Sequence, residues 1–241
     1  MHQWDWNSVM FDVRLAAESD LPAILDISNW AALNTPANFA VEPETLELWQ
    51  RDYRATREKH PWLVAVGESA AEAAAPGEPG GSTLPLAPSV GGRGKKVLGF
   101  AKASPWKGRC AYLWSAETTV YVRPGLHGQG IGTALYGRLI DLLRAQGYRS
   151  LVGGITLPNA ASVALHESCG FRRVAQFEKI GWKFDRWHDV GYWELLLGDP
   201  EALPGPVRAV GEVTEEGFTT EAQSTQRKKE EVHRRGTEDA E

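Results

Sequence analysis

A loop reading His127-Gly128-Gln129-Gly130-Ile131-Gly132 follows a strand-like run ending at Val122 and precedes a helical run opening at Thr133. No other stretch limits the fold so tightly. Glycines let a backbone approach a ligand closely, and a helix start offers unpaired N–H groups at the positive end of its dipole. A strand–loop–helix unit that cradles phosphate oxygens is therefore expected, with a diphosphate as its natural guest. Two rival phosphate-binding designs fit poorly. No Gly-Lys-Ser/Thr follows the glycines, which argues against a P-loop. A dinucleotide site would end the next strand on an acidic residue, whereas that strand runs Leu151-Val152-Gly153-Gly154-Ile155 into Thr156.

The rest of the chain alternates strand and helix signals around this unit. Residues 10–15 alternate apolar and polar side chains, and Ser19-Asp20-Leu21-Pro22 then offers an N-cap with proline in the first turn of a helix reaching about Leu33. Residues 43–59 have helical spacing, and a second strand occupies 62–66. From 67 to 96, 20 of 30 residues are Ala, Gly, Pro or Ser, too little apolar surface for a core, so an inserted mobile loop is expected there. Strand character resumes at 97–103 and 111–122, around a turn at 105–109. The helix at 133–146 carries an apolar stripe through Leu135, Leu139, Leu142 and Leu143, with Gly147 placed for a left-handed C-cap. A buried strand at 150–155, a helix at 159–168 and closing antiparallel strands at 171–182 and 190–197 complete the expected domain over 10–199. Residues 1–9 read as a leader and 200–241 as a disordered charged tail.

With 241 residues, 42% of them hydrophobic, the chain can bury one sizeable core. Residues 201–241 carry six Lys/Arg against ten Asp/Glu, leaving the body nearly neutral at 20 against 21, so no basic face suited to nucleic acid is indicated. No apolar run is long enough to span a bilayer, and Cys110 and Cys169 are the only cysteines. A cytoplasmic protein without membrane or metal association is expected, with both cysteines as packed thiols and the ten tryptophans as core and pocket walls.

The glycine loop resembles that of the GNAT acetyltransferases, which reads Gln/Arg-x-x-Gly-x-Gly/Ala; Gly130 and Gly132 fill the last two places, and His127 stands where Gln or Arg is usual. Downstream, Asn159, Ser162, Leu165 and His166 followed by Gly170-Phe171 are similar to the second GNAT element, with His166 replacing a tyrosine. Further blocks resemble the phosphinothricin acetyltransferase type: Pro105-Trp106-Lys107-x-Arg109, Ala116-Glu117-x-Thr119-Val120-Tyr121-Val122, Leu157-Pro158-Asn159 and Trp187-His188-Asp189-Val190-Gly191. The likeness covers roughly 13–197 apart from the insertion. It implies an α/β (α+β) GNAT fold: a mixed, mostly antiparallel sheet flanked by helices, with a splayed parallel strand pair that admits acetyl-CoA. It also implies a homodimer.

The activity implied is N-acetylation of a small amino-acid-like amine by direct attack. Such an amine is mostly ammonium near neutrality, so a group must accept a proton. Glu117, on the strand entering the loop, is the candidate base; His166 is the candidate to protonate the departing thiolate or share base work. By resemblance, the backbone of Val120, Tyr121 and Val122 would pair with the pantetheine arm. His127, Gly128, Gln129, Gly130, Ile131, Gly132 and Thr133 would hold the pyrophosphate, and Asn159 and Ser162 would contact the cofactor from the neighbouring strand end. Arg109 suits a bidentate contact with an acceptor carboxylate or phosphinate, and Phe39, Tyr112 and Tyr121 are pocket-wall candidates. Trp187-His188-Asp189 reads as packing. Two other readings stay open: acetylation of proteins or peptides, and a non-catalytic module that senses acetyl-CoA.

Overall fold

Five of the six strand pairings among the described residues are antiparallel, and only the remaining parallel one requires a crossover connection. The computed structural model describes residues 10–68, 95–199 and 201–214. Seven strands lie in the order β1-β2-β3-β4-β5-β7-β6. In chain order they are β1 (Phe11–Leu15), β2 (Trp62–Gly67), β3 (Lys96–Pro105), β4 (Ser115–Val122), β5 (Ser150–Leu157), β6 (Arg172–Lys183) and β7 (Arg186–Leu196). Among the described residues, only β4 and β5 run parallel.

The helices α1 (Leu21–Asn34), α2 (Leu46–Thr56), α3 (Ile131–Gln146) and α4 (Ala160–Ser168) cover the sheet. Each boundary has a local cause. Pro22 sits in the first turn of α1, the Thr45 hydroxyl caps α2, and the Asn159 side chain caps α4 by accepting from the Ser162 N–H. Helix α3 is bracketed by Gly130 and Gly147, both left-handed at φ 79° and 92°; an L side chain would be strained at either point. Its stripe of Leu135, Leu139 and Leu143 buries against Leu63, Leu98 and Ala101 of the central strands. A second core packs Ile24 and Ile27 of α1 with Trp49 and Tyr53 of α2 over Trp62, Val64 and Phe100. Apolar residues thus line both sheet faces, as a sheet sandwiched between helices requires.

Several expectations need correction. The strand expected over 111–122 begins only at Ser115, because Cys110–Tyr112 forms a 3-10 turn. Gly67 and Lys96, taken as the ends of the insertion, are paired rungs of β2 and β3; residues 69–94 themselves lie outside the described residues. The expected tail does not begin at 200. Residues 203–214 run back across the end of α3, where the Trp114 indole donates to the Gly205 carbonyl at 2.6 Å and Gln146 Nε2 to the Arg208 carbonyl at 2.8 Å. Val210 and Val213 are buried there, so three valines with Val207 supply the apolar anchor that a charged composition concealed. Residues 1–9 and 215–241 lie outside the described residues. Cys169 packs against the core, but Cys110 is exposed in its turn. Trp182 and Trp187 are likewise exposed rather than core.

Candidate active site

The parallel pair is the structural event that makes the site. Pairing holds for three rungs, Ser115↔Ser150, Ala116↔Leu151 and Glu117↔Val152, and then stops. Strand β4 continues to Val122 bonded only to β3, and β5 to Leu157 bonded only to β7. Backbone N–H and C=O groups are strong hydrogen-bonding groups that must be satisfied somewhere. The diverging arms therefore offer an extended ligand the partner positions of a missing strand. The glycine loop and the start of α3 close the far end of β4, and no acidic residue in the first turn of α3 opposes an anion. An elongated molecule with amide groups in its middle and a diphosphate at one end fits this arrangement.

A network braces the point where the strands part. The His166 ring packs behind β5, buried, with Nδ1 at 2.8 Å from the Ser162 carbonyl and Nε2 at 2.9 Å from the Tyr136 hydroxyl. A carbonyl only accepts, so Nδ1 carries the proton and Nε2 accepts from Tyr136. Tyr136 in turn lies 2.6 Å from the Thr118 hydroxyl, which stands 3.3 Å from the Val152 carbonyl. Burial lowers the His166 pKa, outweighing its bond to Ser162, and keeps the ring neutral.

On the opposite sheet face lies a cleft of about 580 Å³, within the range of small-molecule sites. Strand alternation sends Glu117, Thr119 and Tyr121 into it, beside Phe100 and Lys102 of β3, Trp49 and Asp52 of α2, and Asn38 and Phe39 of the loop after α1. The Glu117 carboxyl is raised above its ordinary value by burial, an effect partly offset by the positive charges of Lys107 and Lys102. Lys102 bonds Asp52 at 3.0 Å with its ammonium over the Trp62 and Trp49 rings at 4.3 and 4.9 Å. Tyr121 donates to the Ala37 carbonyl at 3.1 Å, and burial pushes its phenol up to about 12.

The expected site residues thus divide. Glu117, Phe39 and Tyr121 meet in the cleft; Val120 and Val122 face the α3 side along the open arm of β4. His127, Gly128, Gln129, Gly130, Ile131, Gly132 and Thr133 form the turn into α3. Asn159 and Ser162 serve the α4 cap, and His166 does not line the cleft. Arg109 and Tyr112 are exposed on the 3-10 turn and do not line it either. Trp106 packs edge-on against Tyr192 instead. Lys102 and Asp52 were not anticipated. A single Lys on a strand has no spacing signal, and its role shows only once α2 folds over it.

Comparison with known proteins agrees with this geometry. The Acetyltransferase (GNAT) family pattern matches residues 25–171. Phosphinothricin N-acetyltransferase of Streptomyces viridochromogenes is 36% identical over 202 residues, covering 84% of this chain and 96% of that protein. The L-methionine sulfoximine/L-methionine sulfone acetyltransferase of Pseudomonas paraeruginosa is 34% identical over 193 residues, covering 80% and 98%. Among solved structures, a GNAT superfamily phosphinothricin acetyltransferase from Sinorhizobium meliloti in complex with acetyl-CoA superposes with a TM-score of 0.67 at 28% identity, covering 81% of this chain and 93% of that one. The chain belongs to the GNAT acetyltransferase family.

Proposed function

We propose that this protein transfers an acetyl group to the amino group of a small amino-acid-like acceptor, of the phosphinothricin or methionine sulfoximine/sulfone type. One observation carries the reading: a half-buried carboxylate, Glu117, stands in the cleft at the last rung before the parallel strands part. Bound along the open arms of β4 and β5, acetyl-CoA supplies an activated acetyl group. The backbone of Val120, Tyr121 and Val122 would hold its pantetheine arm, and the N–H groups from His127 to Thr133 its pyrophosphate. Glu117 takes the proton from the acceptor ammonium, directly or through water, and Lys102 offers a cation for the acceptor's acidic group. His166 acts through Tyr136 and Thr118, keeping the strands parted where the thioester would lie.

Much of the rate advantage would come from holding both partners together, worth roughly 7–11 kcal/mol in well-oriented cases. A positioned base adds about 10²–10⁴-fold. Because the base works deprotonated and burial raises its pKa, kcat/KM should fall as pH drops through a value above the ordinary glutamate range. Glu117→Gln should lower turnover by about 10²–10⁴-fold and flatten that acid limb. Thiol release measured across pH with a panel of amino acids and peptides is the test: an unchanged limb removes Glu117 as base, and turnover of peptides alone removes the small-acceptor reading.

A cytoplasmic homodimer completes the proposal. Its support is the β6–β7 hairpin, where Val174, Ile180, Trp182, Phe184 and Trp187 are all about half exposed, apolar surface of the kind that marks an interface.

A further inference from the structure

The hairpin that carries this face also reaches the acceptor cleft from behind. Lys183, the last residue of β6, is only 5% exposed. Its ammonium donates to the carbonyl of Ala32 in the last turn of α1 and to those of Asn38 and Ala40 in the loop that follows, the last at 2.8 Å. An ammonium has three N–H donors, and all three are used. A cation at the C-terminal end of α1 also meets the negative end of the helix dipole.

The loop it grips is a wall of the cleft. Ala37, Asn38 and Phe39 line the cavity. The Asn38 carbonyl belongs to Lys183 and the Ala37 carbonyl to Tyr121 of β4, so the loop hangs between the catalytic strand and the hairpin. The Phe39 ring lies flush on the hairpin: a Cβ at Gly181 would stand 2.3 Å from it. His188 of β7 faces the same ring with centroids 6.0 Å apart and donates Nε2–H to the Lys183 carbonyl at 2.9 Å. Gly181, Lys183 and His188 thus shape one seat for one loop. The Trp187-His188-Asp189 stretch, read as packing from sequence, contributes to that seat.

We infer that Lys183, seated by Gly181 and His188, is a positioning residue that fixes residues 37–40, and that the β6–β7 hairpin thereby sets the acceptor selectivity of the cleft. Lys183 touches no reacting atom in this role. The inference rests on the cleft being the acceptor site.

Lys183→Met keeps most of the stem and removes the three bonds. Acceptor kcat/KM should fall by at least about tenfold, chiefly through KM, because a small misplacement of a binding wall is costly. The KM for acetyl-CoA should stay within about twofold, since the three bonds removed all go to the end of α1 and the loop after it. Amide hydrogen exchange should quicken at 37–40 while β4 and β5 stay protected. Gly181→Ala, which keeps the charge but lifts the Phe39 ring, should raise acceptor KM in the same way and serves alone if Lys183→Met does not fold. Equal rises in both KM values, a loss of kcat with both KM values intact, or unchanged exchange at 37–40 would overturn the inference. Failure of the acetyltransfer reading shows up separately, as absent turnover in the unaltered protein; there the hydrogen-exchange result still decides whether Lys183 holds the loop.

Discussion

A Cβ added at Gly153 would lie 2.4 Å from His166 Nε2, so the absent side chain is what lets the imidazole meet β5 and reach Tyr136. The ring is boxed in by Tyr136 and Phe171, with centroids at 5.0 and 5.3 Å, and has nowhere to retreat. Gly153→Ala should therefore cost about 1–3 kcal/mol of stability, read as a lowered Tm, and should lower turnover by loosening Thr118 at the strand divergence. An unchanged Tm and unchanged turnover would mean that the network is ornamental to the site. Side-chain roles of this kind were unevenly legible from sequence. Glu117 and Tyr121 could be set on one face because strand alternation is rigid. Lys183 could not be connected to the loop it clamps, because Ala32 stands 151 positions away and no spacing rule links a lone strand Lys to backbone carbonyls.

Among the elements, α3 was the most readable: Gly147 caps its end in the expected left-handed conformation, although the helix opens at Ile131, directly after left-handed Gly130, rather than at Thr133. The β4 boundary was the least so: an aromatic- and Thr-rich run looks like strand throughout, yet Cys110–Tyr112 turns first and carries Arg109 and Tyr112 away from the cleft. The meeting of β2 and β3 has a simple energetic consequence. Gly67 pairs with Lys96, so the two strands are already in register where the Ala/Gly/Pro-rich insertion leaves them. Closing a long loop costs entropy that grows with the logarithm of its length. Replacing residues 69–94 by a short Asn-Gly-containing turn should raise stability by about 1–2 kcal/mol and leave acetyl transfer unchanged; thermal unfolding and a turnover assay check both, and lost activity would give the insertion a role in the site.

For the whole molecule, the β6–β7 hairpin joins the proposed dimer face to the proposed acceptor cleft. Its outer side presents Trp182 and Trp187, packed edge-on at 5.2 Å, while its inner side seats Phe39. Trp182→Glu, a charge in the middle of that apolar surface, should shift sedimentation from dimer to monomer and raise acceptor KM, while the KM for acetyl-CoA stays put; a wild-type protein that sediments as a monomer would remove the dimer from the account. The strap at 203–214 bears on a different matter, the order in which the molecule can be completed during synthesis. Domains form as chain emerges, N-terminal parts first, but Val207, Val210 and Val213 are translated after every strand and helix they cover. Val210 bonds back to Glu58 and Arg208 to Gln146. A nascent chain that has already built its whole sheet must therefore wait, with the end of α3 open to water and to chaperones, until these late residues arrive to seal it.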